Sequence, residues 1–257
     1  MECGCKTMAE QLVGKVAVIT GGAQGIGAAT AALVARRGAH VVIADVAAEQ
    51  GERLAADIVG VGGEAEFVYT DVTDEEQCRR LVTTALRKTG RLDILVTCAG
   101  VFRGGQVPLE ALEEDVFRGV IDINLMGTFL AVKHAVPAMQ EAGKGVILCI
   151  ASGAGVTSSS GSYAYGASKG GVHGLLLTLQ ERLEPRGIRV HTICPGEIAT
   201  PLKLSAIAQA AELAGRPPDE AIAEAQERLG EPEGVARVLA FLASDEAAYV
   251  RGAIFTR

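Results

Sequence analysis

Val16-Ala17-Val18-Ile19-Thr20 runs without a break into Gly21-Gly22-Ala23-Gln24-Gly25-Ile26-Gly27, and Ala28-Ala29-Thr30-Ala31-Ala32-Leu33-Val34-Ala35-Arg36-Arg37 follows. The first five residues are apolar or β-branched and read as a strand. The last ten are rich in Ala and Leu and read as a helix. Glycines between the two permit a tight turn and close backbone approach, and the start of the helix aims its N–H groups at an anion. A glycine-rich stretch alone is weak, and a purely structural turn is its plain alternative. Set between a first strand and a first helix, it points to a dinucleotide pyrophosphate.

The same alternation continues outward from this segment. Strands are predicted at 41–45, 66–70, 94–98, 146–151 and 190–194, with a last short one at 253–256. Several of these runs are apolar without alternation, as expected of parallel strands covered on both faces. Helices are predicted near 25–37, 47–59, 74–89, 115–142, 163–185 and 235–243. Repeated strand–helix units with right-handed crossovers make an α/β, doubly wound parallel sheet with helices on both faces. Residues 203–229 interrupt the pattern with an Ala- and Glu-rich helical insertion around Pro217-Pro218, placed where a small lid can cover a ligand crevice. No linker or repeat divides the chain, so residues 12–257 are expected to form one domain. Residues 1–11 (MECGCKTMAEQ) read as a disordered extension.

Bulk properties narrow the function. At 257 residues and 49% hydrophobic the chain can bury one large α/β core, and the net charge of -7, without a dense Lys/Arg cluster, excludes an obvious nucleic-acid footprint. No apolar run reaches the length of a membrane helix, and the N-terminus lacks the apolar core of a signal peptide. The six cysteines are Cys3, Cys5, Cys78, Cys98, Cys149 and Cys194. None pairs with His at metal-site spacing, so no metal is expected, and a reducing, cytoplasmic setting is. His40, His134, His173 and His191 form no ligand or triad pattern and read as structural.

Asp45 closes the second strand. A carboxylate there accepts hydrogen bonds from the adenosine ribose hydroxyls and repels a 2′-phosphate. Gln24 in the loop and Val46 after the acid supply no positive charge. The cofactor indicated is NAD rather than NADP; a solvated strand-end residue is the plainer reading. Asp71-Val72 ends the third strand, where Asp71 either meets the adenine edge or caps the helix beginning near Asp74.

Tyr165-Gly166-Ala167-Ser168-Lys169 sets a phenol and an ammonium at i and i+4, on one helix face. A phenol of pKa ~10 is a poor base at neutral pH, and lowering it by ~3 units requires about 4 kcal/mol of differential stabilisation. The ammonium and a positive nicotinamide ring together are expected to supply it, making Tyr165 the general acid/base. Three features lift this pair above an ordinary exposed one. Ser152 follows an apolar strand and can hydrogen-bond the reacting oxygen. The amide of Asn124, in a long helical segment, can bridge a water to Lys169. Pro195-Gly196-Glu197-Ile198-Ala199-Thr200 follows the sixth strand and can hold a carboxamide. Tyr163 has no Lys partner at i+4 and reads as pocket lining or packing.

In this order and at these spacings the pieces resemble the short-chain dehydrogenase/reductase family, of the ordinary single-domain type, over residues 13–256. The resemblance rests on Thr20, Gly21, Gly25 and Gly27, on Asp71-Val72, on Ala99-Gly100 after the fourth strand, on Asn124, Ser152, Tyr165 and Lys169, and on Pro195-Gly196 through Thr200. It implies a Rossmann-type fold and a hydride transfer between NAD and a secondary alcohol or ketone. In the implied roles Tyr165 is the acid/base and Ser152 anchors substrate. Lys169 binds the nicotinamide ribose and lowers the phenol's pKa, and Asn124 serves a proton relay. Cofactor contacts are expected from Gly21, Gln24, Gly25, Ile26, Gly27, Asp45, Asp71, Val72, Ala99, Gly100, Tyr165, Lys169, Pro195, Gly196, Ile198 and Thr200. A homotetramer or homodimer, built partly on helices 115–142 and 163–185, is also implied.

Two departures stand out. Thr97-Cys98-Ala99-Gly100 replaces the family's usual Asn-Asn-Ala-Gly, which removes an amide at Cys98. The sequence ends Phe255-Thr256-Arg257 where the family commonly continues to Asp-Gly-Gly, a departure read as truncation that bears on subunit contacts. Leu202, Leu204, Ile207 and Leu213 give the lid an apolar side and favour a moderately hydrophobic substrate. A polyol or sugar dehydrogenase and a 3-oxoacyl thioester reductase are the alternatives within the family, the second weakened by Asp45. A non-catalytic NAD sensor is the rival of another class, and an epimerase or dehydratase with tightly held NAD is a third.

Overall fold

The protein is described by a computed structural model covering residues 11–257. The expected extension lies outside the described residues except for Gln11, whose side chain accepts a hydrogen bond from Arg37 (3.0 Å).

The chain runs β1 (Val16–Thr20), α1 (Gly25–Arg36), β2 (His40–Asp45), α2 (Ala48–Gly60), β3 (Glu64–Tyr69), α3 (Glu75–Thr89), β4 (Ile94–Thr97), α4 (Glu114–Ile121), α5 (Gly127–Glu141), β5 (Gly145–Ile150), α6 (Tyr163–Leu183), β6 (Ile188–Cys194), α7 (Pro201–Leu213), α8 (Pro218–Gln226), α9 (Pro232–Ala243) and β7 (Ala253–Phe255). The strands form one parallel sheet in the order β3-β2-β1-β4-β5-β6-β7. Strand order therefore reverses between β1 and β4, and the crevice beyond their carboxyl ends is where a doubly wound sheet binds its ligand.

Successive residues of each central strand face opposite helical layers. Ala17, Ile19, Val41, Ile43 and Val96 pack with Val34, Leu239 and Leu242 of α1 and α9. Val16, Val18, Val42, Leu95 and Ile147 pack with Leu81, Ala131, Met139 and Leu176 of α3, α5 and α6. Burial on both sides explains why these strands are apolar throughout. At the sheet edge β3 begins at Glu64, two residues before its predicted start. Glu64 is exposed, and Glu66 turns back to the ring of His40 (3.0 Å), so polar residues hide this strand from a hydrophobicity pattern.

Two further departures bear on the site. The predicted 115–142 helix is divided by a π-helical turn, Asp122–Met126, that joins α4 to α5 and carries Asn124. The 203–229 insertion is two helices starting at Pro201, with Thr200 as N-cap accepting from the Lys203 N–H (3.2 Å). Among the described residues no helix is long and apolar enough to cross a membrane.

Candidate active site

A cleft of about 790 Å³ opens over the carboxyl ends of β1, β4, β5 and β6. All sixteen residues expected to touch cofactor line it, from Gly21 through Thr200, and so does Ser152. Asn124 does not. It is fully buried behind the cleft.

The glycine loop makes the floor. Gly21 has a left-handed φ of 63°, and a Cβ there would stand 2.4 Å from the Ala99 nitrogen. A Cβ on Gly27 would stand 2.1 Å from the carbonyl oxygen of Gly21, so only glycine lets α1 pack this closely on the turn. Gln24, the N-cap of α1, is exposed and makes no side-chain cap bond, which leaves the first-turn N–H groups of α1 directed at the cleft. This uncapped helix end beside a glycine cradle fits a pyrophosphate.

At the adenosine end the Asp45 carboxylate is fixed by two backbone donors, Ala23 N–H (3.0 Å) and Ala47 N–H (3.1 Å). Val46 beside it is exposed, and among the described residues no cation forms an ion pair with Asp45. The choice left open for Asp71 is resolved against capping. Asp74 is the N-cap of α3, accepting from Glu76 and Gln77, while Asp71 accepts from the backbone and hydroxyl of Thr73.

Ser162 caps α6 by accepting from the Tyr165 N–H (3.2 Å), which sets the helix that carries Tyr165 and Lys169. The Lys169 ammonium is buried, donates to the Ile150 carbonyl (2.8 Å) and lies 5.6 Å from the centroid of the Tyr165 ring. Desolvation pulls it down to about 8. The phenol of Tyr165 moves the other way. Burial raises its pKa, and a hydrogen bond with Ser152 offsets part of the rise. In the protein alone, loss of hydration dominates the phenol; the expected lowering belongs to the ammonium and a positive nicotinamide ring acting together.

Three hydrogen bonds within the protein hold the Asn124 amide. Asn124 Oδ1 accepts from Val101 N–H (2.8 Å), while Nδ2 donates to the Val101 carbonyl (3.0 Å) and to Ser168 Oγ (3.0 Å). The side chain clamps the segment after β4, and its Oδ1 and the Lys169 Nζ both flank Gly100, 3.3 and 3.5 Å from where a Cβ would stand there. Its host, a π-turn, is of a kind that recurs at functional sites.

Cys98 partly lines the cleft, and burial pushes its thiol up to about 12, so it is protonated packing and not a reactive thiolate. Cys78, Cys98, Cys149 and Cys194 are free. Tyr163 is half exposed and outside the cleft, so of its two expected roles pocket lining is not met. Leu202 and Ile207 line the cleft as expected, whereas Leu204 and Leu213 do not. Desolvation takes His191 down to about 4, leaving a neutral core ring. Among the described residues no group of His, Cys, Asp or Glu is arranged to hold a metal.

Among the lining residues missed in the sequence are Phe102, Arg103 and Gln106. The Phe102 ring meets that of Tyr165 at 5.2 Å and 56°. They follow the predicted Ala99-Gly100 but belong to no regular element, and only the fold brings them to α6.

A doubly wound sheet with a glycine cradle and a phenol–ammonium–hydroxyl cluster defines the class of nucleotide-dependent oxidoreductases. Comparison with known proteins narrows this. The short chain dehydrogenase family matches residues 15–211, and the chain belongs to that family. It is 42% identical to cis-4-hydroxycyclohexanecarboxylate dehydrogenase of Sinomonas cyclohexanicum, over 96% of each chain. It is 37% identical to the 3-oxoacyl-(acyl-carrier-protein) reductase of Thermotoga maritima, over 95% of this chain and 96% of that one. The crystal structure of levodione reductase superposes with a TM-score of 0.88 at 33% identity, covering 95% of this chain and 96% of that one. These relatives are dehydrogenases and reductases, and a nicotinamide cofactor is typical of the family.

Proposed function

We propose that the protein is an NAD-dependent dehydrogenase that interconverts a secondary alcohol on an apolar, alicyclic body and the corresponding ketone. The observation that carries this reading is the meeting of Tyr165, Ser152 and Lys169 in one cleft with the glycine cradle. A nicotinamide cofactor held by the glycine cradle and by Lys169 would supply the hydride acceptor for oxidation and the hydride donor for reduction.

The chain's own residues manage the oxygen. Tyr165 takes the hydroxyl proton as the carbonyl forms, and Ser152 donates a hydrogen bond to the same oxygen. Lys169 supplies positive charge under the phenol ring and a donor for the cofactor ribose. Because burial raises the phenol, positive charge within the cleft is what makes its deprotonated form accessible. Asn124 acts on this group at one remove, by fixing Val101 and Ser168. Pro195, Gly196, Ile198 and Thr200 hold the carboxamide end.

NAD is favoured over NADP because the Asp45 carboxylate is held by two backbone donors where a 2′-phosphate would stand. The alicyclic body is supported by the apolar face of α7, where Leu202, Ala206, Ile207 and Ala210 line the cleft, and by the cyclohexane substrate named in the relative above. Together with α8 it forms the proposed lid. Exposed Phe117, Met126, Phe129 and Leu177 on α4, the π-turn, α5 and α6 support a homo-oligomer.

The test is NADH absorbance with a panel of secondary alcohols, comparing the parent with Tyr165→Phe. Turnover should fall by at least ~100-fold while NADH binding is retained. Parent-like turnover in the variant refutes the assigned acid/base, and nucleotide binding without turnover on any alcohol points to a sensor. Asp45→Ala should shift the NAD-to-NADP efficiency ratio toward NADP by roughly tenfold or more. A parent that already prefers NADP contradicts the role given to Asp45.

A further inference from the structure

We propose that the alcohol substrate carries a carboxylate and that Arg103 binds it at the rim of the cleft. The inference rests on the dehydrogenase reading above and deepens it.

Three cations line the cleft: Lys169, Lys203 and Arg103. Lys169 is turned to the Ile150 carbonyl, and Lys203 is neutralised by Glu197 (2.5 Å). Among the described residues the Arg103 guanidinium has neither a hydrogen bond nor a carboxylate within ion-pair distance. One of its nitrogens lies 3.5 Å from where a Cβ would stand on Gly119, so it rests over bare backbone of α4. On that helix Glu114 is already occupied by Arg118. An unspent guanidinium at a ligand cleft is matched to a planar carboxylate, which it can engage with two parallel hydrogen bonds.

The backbone of Arg103 is tied to the reacting end of the site. Ser162 Oγ donates to the Arg103 carbonyl (2.6 Å) and accepts from the Tyr165 N–H (3.2 Å). Phe102 packs on the Tyr165 ring, and Gln106 N–H donates to the Gly161 carbonyl (2.8 Å). Gln106 also holds a φ of 61°, the one left-handed non-glycine residue described. Such backbone persists only where the surroundings over-determine it, so this wall is held in place. The cleft thus offers a carbinol position at Tyr165 and Ser152, an apolar wall on α7 and one uncommitted cation among its lining residues. A single guanidinium suits a monoanion, which favours a carboxylate over a phosphate dianion.

The test compares 4-hydroxycyclohexanecarboxylate, cis and trans, with the methyl esters of the same alcohols, using parent, Arg103→Met and Arg103→Lys. The parent should favour the acid over the ester in kcat/KM, through KM. Arg103→Met should lower the acid-to-ester ratio roughly tenfold, and Arg103→Lys should restore part of it, as expected for a partly exposed charged contact. A parent that uses the ester as well as the acid overturns the inference, as does a ratio that Arg103→Met leaves unmoved. If neither compound is oxidised, the panel of secondary alcohols above decides the dehydrogenase reading separately. Calorimetric titration with cyclohexanecarboxylate then decides the carboxylate site: Arg103-dependent binding upholds it, and absence of binding overturns it.

Discussion

Replacing Asn124 by alanine separates two accounts of this residue. Its amide makes three hydrogen bonds, two to the backbone of Val101 and one to Ser168 Oγ, with no part of the side chain exposed. Ser168 keeps a partner, because its hydroxyl donates to the Tyr165 carbonyl (2.8 Å). The Val101 N–H and carbonyl lose theirs. Leaving a buried polar group unpaired costs about 1–3 kcal/mol, and Val101 is partly reachable by water, so the total is about 2–4 kcal/mol. For a domain of this size each kcal/mol shifts the melting temperature by ~2–4 °C, which gives a fall of roughly 5–15 °C. Thermal melting followed by circular dichroism, with activity measured well below the transition, reads this directly. The segment freed by the substitution includes Ala99 and Gly100, so NADH affinity should fall along with stability. A melting temperature within ~2 °C of the parent, combined with lost activity, would falsify the clamp and return Asn124 to a direct part in proton transfer.

Lys169 sets a pH dependence of stability whose sign follows from burial. Its ammonium gives up its proton at about 8 when folded, against an ordinary 10.5. Folding therefore releases a proton between these values, and stability should rise as pH climbs through the window. Below about 8 both states are protonated and the burial cost, on the order of 3 kcal/mol, is fully present. Lys169→Met should be inactive, yet melt at or above the parent at pH 7 and lose the rise between pH 8 and 10.5; a melting temperature well below the parent at pH 7 contradicts this sign. Gly27→Ala places a methyl group 2.1 Å from the Gly21 carbonyl, so the phosphate turn must open. The expected result is loss of NADH binding in a fluorescence titration and about 1–3 kcal/mol lower stability in urea; unchanged nucleotide affinity would show that the cradle does not receive the cofactor.

The strands legible in the sequence were those buried on both faces. Val16–Thr20 and Ile94–Thr97 announce themselves because every side chain meets a helix layer. Edge strand β3 is predicted from Glu66 and begins at Glu64, since an exposed glutamate suits an edge but adds nothing to an apolar run. The π-turn at Asp122–Met126 was invisible, because it changes which carbonyl each N–H reaches and not which residues are apolar. Phe102, Arg103 and Gln106 left no periodic signal at all, and only their contacts with α6 place them at the site.

Local chemistry, read along the chain, determined the doubly wound topology, the phosphate turn and the residue types gathered at the reacting end. Glycines, apolar runs and an i, i+4 pair act over a few residues, and that is the range over which sequence alone speaks. Folding decided the balance of charge and solvent. It buried the phenol so that its pKa rises, turned Lys169 to a strand carbonyl, spent the Asn124 amide on Val101 and left the Arg103 guanidinium without a partner among the described residues. Those outcomes depend on desolvation and on groups far apart in the chain, and neither exists until the layers close.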